Sequence, residues 1–141
     1  MKSKLKLIIP LVLLVAAGGY KMVLTKPAPP PKPKIDGQVY VLPKDFLINL
    51  EGGRFAKLEV GLVLSAEQEI VGHGAPPEGF GPLDQEAVVR DIVTDALTGA
   101  PASELIDGGG RERLKAELLA DIRKRTDVKV ESVLFTGVTV Q

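Results

Sequence analysis

The side chains able to do chemistry are few and scattered. Cysteine is absent, so there is no thiolate nucleophile, no disulfide and no Cys-based zinc or iron–sulfur site. His73 is the only histidine and stands between Gly72 and Gly74. It rules out a His-pair metal site, and any Ser–His–Asp triad would depend on it alone. A lone histidine in a glycine-flanked loop reads as a solvent-facing residue. Asp91 and Asp95 stand one helical turn apart and could share a proton or a metal ion, but they lie beside the polar face of a predicted helix, where solvated charge is the simpler account. Gly108-Gly109-Gly110-Arg111 resembles an anion-binding loop ahead of a helix. It lacks the Lys-Ser/Thr of a P-loop and the dinucleotide spacing, and reads as a flexible hinge. The basic run Arg123-Lys124-Arg125 is balanced by Asp121 and Asp127, and four Phe plus two Tyr are too few for a nucleic-acid stacking platform. The residues thus point to no enzyme, no cofactor, no metal and no nucleic-acid partner.

The elements around these residues are organised by charge. Eighteen basic and eighteen acidic side chains cancel over 141 residues. Residues 1–38, however, carry seven lysines (Lys2, Lys4, Lys6, Lys21, Lys26, Lys32, Lys34) against Asp36 alone, and the remainder is correspondingly acidic. Within the basic part, residues 1–24 read as cytoplasmic lysines followed by a transmembrane anchor. Its apolar side chains are Leu7, Ile8, Ile9, Leu11, Val12, Leu13, Leu14, Val15, Met22, Val23 and Leu24. As a helix, Leu7–Leu24 would reach roughly 27 Å, close to the ~30 Å hydrocarbon core. Lys21 near its far end can snorkel, and the three leading lysines put the N-terminus in the cytoplasm. A cleaved signal peptide ending near Ala16-Ala17-Gly18-Gly19 is the competing reading; the return of apolar character at Met22–Leu24 favours the anchor. Either way the body is exported.

Residues 25–38 form a linker with Pro27, Pro29, Pro30, Pro31 and Pro33. Such a stretch prefers the polyproline II conformation and acts as a stiff stalk, with a docking role for a partner beside the membrane compatible with it. Residues 39–141 then read as one α+β domain of order β-β-α-α-β. Val39–Leu50 and Phe55–Ser65 are expected as two strands joined at Gly52-Gly53, with Pro43 marking an edge or bulge. Ala66–Leu83 reads as an irregular loop. Asp84 is the expected cap of a helix whose stripe is Val88, Val89, Ile92, Val93, Ala96 and Leu97, with Leu83 and Val88 as a hydrophobic staple and Glu86 adding charge to the first turn. A second helix is expected after Gly108–Gly110, burying Leu114, Leu118, Leu119 and Ile122. The last strand, Val128–Gln141, is expected to set Val128, Val130, Leu134, Val138 and Val140 on one face against Lys129, Glu131, Val133, Phe135 and Thr139, with a bulge at Gly137. A small, mainly antiparallel sheet with both helices on one face is the economical arrangement.

At Phe46-Leu47-Ile48-Asn49-Leu50, at Arg54-Phe55-Ala56-Lys57-Leu58-Glu59-Val60, in the helical segments Arg90–Leu97 and Leu114–Ile122, and in the ending Val133–Gln141, the chain resembles the flagellar basal-body-associated FliL family. The Gly/Pro-rich stretch 72–82 and Arg123, where the family tends to have Asn, depart from its pattern. The resemblance implies an inner-membrane, single-pass protein whose periplasmic domain is similar to the stomatin/prohibitin fold. It further implies self-association into a ring around the ion-driven stator units MotA/MotB, supporting torque and swarming. The linker, Pro27, Pro29, Pro30, Pro31, Pro33 and Ile35, is then the expected stator contact, because the anchor sets it at membrane height. A generic envelope adaptor, or a small-ligand module using the glycine run at 108–110, are the alternative readings.

Overall fold

The computed structural model describes residues 34–70 and 74–141. The anchor residues Leu7–Leu24, the prolines Pro27–Pro33 and His73 lie outside the described residues.

The domain is built around one strand. In β3 (Phe55–Leu64), Ala56, Leu58, Val60, Leu62 and Leu64 are all fully buried on one face, as the period-two pattern requires. β1 (Gln38–Val41) and β2 (Phe46–Asn49) both pair antiparallel with it, β1 against Gly61–Leu64 and β2 against Phe55–Leu58. They occupy one side of β3, while β4 (Val130–Val140) runs antiparallel along the other. The expected continuous strand Val39–Leu50 is therefore two strands. The Leu42 amide still donates to the Val60 carbonyl (3.0 Å), but Pro43 has no N–H to give, and pairing resumes only at Phe46 opposite Leu58. Arg90 fills the gap: its guanidinium donates to the Lys44 carbonyl at 2.9 Å and stands 4.3 Å over the Phe46 ring. The turn after β2 is as tight as its glycines permit. Gly52 and Gly53 adopt φ of 73° and 75°, and the Leu50 amide closes on the Arg54 carbonyl at 2.8 Å.

β4 departs from simple alternation at two points. The register slips between Glu59 and Val60 and again between Val63 and Leu64, leaving Thr136 and Glu131 as the unpaired residues. The expected bulge at Gly137 thus sits one residue earlier, and Gly137 itself pairs with Glu59. Each slip changes which residues face the core. Val130 and Val133 are buried, Phe135, Val138 and Val140 pack against the core, and Leu134, expected beside Val130, instead lies near Gly61 on the opposite face.

Three helices, not two, complete the core: α1 (Glu86–Leu97), the short α2 (Ala102–Ile106) and α3 (Gly108–Arg125). Val89, Ile92, Val93 and Leu97 of α1, Leu105 of α2, and Leu114, Leu118 and Ile122 of α3 join the buried face of the sheet in one cluster. Asp84 does not cap α1. The capping position is Gln85, held at φ 61° without a side-chain cap bond, and its side chain instead bridges to Asp127. Nor does the staple form: Leu83 is buried while Val88 is exposed. α3 begins at Gly108, so the glycine run is its first turn and not a hinge before it. At Gly110 a Cβ would stand 2.5 Å from the Glu104 carbonyl oxygen, so this close crossing of α2 and α3 requires glycine.

Candidate interaction surfaces

The chain enters the domain through Lys34–Gly37. Gly37 passes so near the Leu64 carbonyl that any Cβ there would collide with it, which fixes the start of β1 at the Leu64 end of β3. Ile35, the one proposed linker contact among the described residues, is 58% exposed. Beyond it the uncovered face of the sheet carries Val39, Val41, Leu47 and Phe55, of which Leu47 is 73% exposed. The register puts Val39 opposite Val63, Val41 opposite Gly61 and Leu47 opposite Lys57, so these side chains share one face. Lys57 pairs with Asp45 at 2.8 Å on the exposed surface, and the bond from that carboxylate holds the lysine above its ordinary pKa. Sequence periodicity foretold which β3 residues would be inward, and the helices were expected on one face only; it did not show that the other face would gather these apolar side chains.

The most constrained polar group is inside. Tyr40 donates its phenolic O–H to Glu86 Oε2 at 2.5 Å, and the Gly81 amide donates to the same oxygen at 2.9 Å. Glu86 is 2% exposed and its Oε1 has no partner among the described residues. This clasp ties β1 to the first turn of α1 and to the loop that precedes it, where Pro76, Phe80 and Pro82 border a cavity of about 270 Å³. Burial, then the bond to Glu86 and its charge, push the Tyr40 phenol far above its ordinary pKa. Glu86 was legible only as a charge at a helix start. The one signal available was Tyr40, a residue whose hydroxyl needs a partner once its ring is buried.

The residues first considered for chemistry are dispersed. Asp91 pairs with Arg125 at 2.9 Å on the surface, and Asp95 is exposed without joining it. The Arg111 guanidinium donates to the Leu105 and Ile106 carbonyls at 2.9 and 2.7 Å. These two bonds tie the end of α2 to the first turn of α3. Arg123, from the basic run near the end of α3, donates through Nε to the Val130 carbonyl at 2.8 Å. Lys129 meets Glu67 at 2.9 Å, a bond that holds the Glu67 carboxyl below its usual range. Among the described residues, no group of three His, Cys, Asp or Glu side chains could hold a metal ion.

An α+β domain with a bare sheet face and an open strand edge among the described residues belongs to the class of domains whose exposed features are surfaces. The family model described as flagellar basal body-associated protein FliL matches residues 39–141, and the chain belongs to that family. No curated protein matches the chain. The family is one of structural components of the flagellum, associated with its basal body, and is not known as an enzyme family.

Proposed function

We propose that this chain is an inner-membrane, single-pass protein of the flagellar motor, whose domain 39–141 stands in the periplasm and supports the active state of the ion-driven stator units MotA/MotB. Family membership over residues 39–141, preceded in the sequence by the lysine-flanked apolar run Leu7–Leu24 and the proline-rich linker 25–38, is the observation that carries this reading. The anchor holds the chain in the bilayer, and the linker meets the stator just outside it. The domain, built on a stomatin/prohibitin-like plan, associates with further copies into a ring around the stator, and no chemistry is performed. Cyclic assembly needs two different patches per copy; the bare sheet face and the helical side are distinct enough to serve.

The linker is where this reading is most exposed to test. Replacing Thr25–Gln38 by a Gly/Ser segment of equal length keeps the reach and removes the preorganised polyproline geometry. Stator co-purification and swarm diameter are both expected to fall. Unchanged co-purification together with normal motility of a deletion strain would remove the stator role and leave a generic envelope adaptor.

A further inference from the structure

β4 is an edge strand: among the described residues no strand pairs with its outer side. Its beginning is closed by Arg123, which takes the Val130 carbonyl at 2.8 Å and reaches toward the Glu131 carbonyl at 3.5 Å. Beyond that plug lies Ser132–Val140, about 30 Å of strand with no charged residue and no proline. Edges are ordinarily guarded by lysine, proline, short length or a bulge; of these the stretch has only the bulge at Thr136, which leaves Ser132–Phe135 and Gly137–Val140 on either side of it. Beside it runs a groove of about 340 Å³ between the edge and α3, with Ala116 and Leu119 on the helix side and Val133 and Leu134 on the strand side. The charges at its rim, Glu112 and Lys115, are bonded to each other at 2.5 Å.

We propose that this edge and groove form a strand-addition site for an extended, proline-free, uncharged segment of a partner protein bearing apolar side chains at alternate positions. The row of unpaired backbone groups calls for an extended backbone, and the groove admits every second side chain of a strand laid there. Charge complementarity sets the composition: an uncharged edge, a partly apolar floor and a rim whose two charges neutralise each other offer nothing to a charged segment. A second copy of the chain would lay down a strand interrupted at Thr136, and its pairing would show as a dimer in the test below. The chain's own linker does not fit, since its five prolines lack the N–H groups a ladder requires. The site goes beyond the stator reading and is independent of the linker.

The test uses the full chain in detergent micelles and a fluorescein-labelled peptide of four Thr-Val repeats. A control peptide carries N-methyl groups on every second amide, which removes the ladder donors while keeping the side chains. Anisotropy is expected to report saturable binding, weakened at least about tenfold both by N-methylation and by Ala116→Trp, whose indole would fill the groove from an exposed helix position. A thermal melt of the variant checks its fold, and the methylated peptide tests the site without any substitution. Absence of saturable binding, equal binding of the methylated peptide, or indifference to Ala116→Trp would overturn the proposal. So would a concentration-dependent dimer that Ala116→Trp dissociates, which would assign the edge to a second copy. Binding that emerges only after deletion of residues 25–38 would assign it to the linker.

Discussion

At the residue scale the clasp between Tyr40 and Glu86 dominates. A carboxylate buried to this degree is costly unless hydrogen-bonded; Oε1 has no partner among the described residues, so the group depends on the Tyr40 hydroxyl and the Gly81 amide at Oε2. Tyr40→Phe keeps the ring and deletes one donor. It should lower stability by about 1–3 kcal/mol at neutral pH, measured by urea unfolding. The pH dependence has a definite sign. The phenol pKa is raised in the folded state, so its contribution is complete below the unfolded value of about 10 and is lost as pH rises through the folded value. Wild type should therefore lose stability above about pH 10 more steeply than Tyr40→Phe. Parallel slopes would mean that the hydroxyl is already free to ionise.

At the scale of elements, the tight crossing of α2 and α3 gives the sharpest contrast. Gly109 and Gly110 are neighbours in the first turn of α3 and share a helical backbone, yet a Cβ at Gly109 meets nothing within 4 Å, while one at Gly110 meets the Glu104 backbone. Gly109→Ala should be neutral or stabilising by up to about 1 kcal/mol through helix propensity. Gly110→Ala should destabilise by about 1–3 kcal/mol through overpacking. Thermal melts of the two variants decide the matter, and equal shifts would contradict the crossing. The same crossing shows what the sequence could reveal. The alternation of β3, the Gly52-Gly53 turn and the apolar stripes of α1 and α3 were readable because each is a local pattern of period or punctuation. The start of α3, the extra helix α2 and the inward turn of Val133 and Phe135 were not. Gly110 is explained only by Glu104, and the facing of β4 only by its two slips against β3; both are facts about a neighbouring element. Pro43 is intermediate: its missing donor announced an irregularity, but its extent depended on Arg90, far along the chain. The candidate surfaces were legible least of all, since an uncovered face or edge is defined by what fails to pack against it.

For the whole molecule, the arrangement of its two ends matters. Gln38 stands opposite Leu64, whereas Gln141 exchanges backbone hydrogen bonds with Phe55 at 2.9 and 3.0 Å. The incoming chain and the outgoing residue therefore sit at opposite ends of the ten-residue strand β3, separated by about 33 Å. The hairpin at Gly52-Gly53 shares the outgoing end. The molecule thus contains its own yardstick, with one tip pointing back along the polypeptide toward Lys34 and the other pointing away from it. Dyes on residues 38 and 141 of one copy should report a single high transfer efficiency, the one set by about 33 Å, whereas copies carrying one dye each transfer only when they are neighbours. Any strong transfer between differently labelled copies would then reveal head-to-tail or side-by-side neighbours, making this domain a ruler for the geometry of whatever assembly it joins.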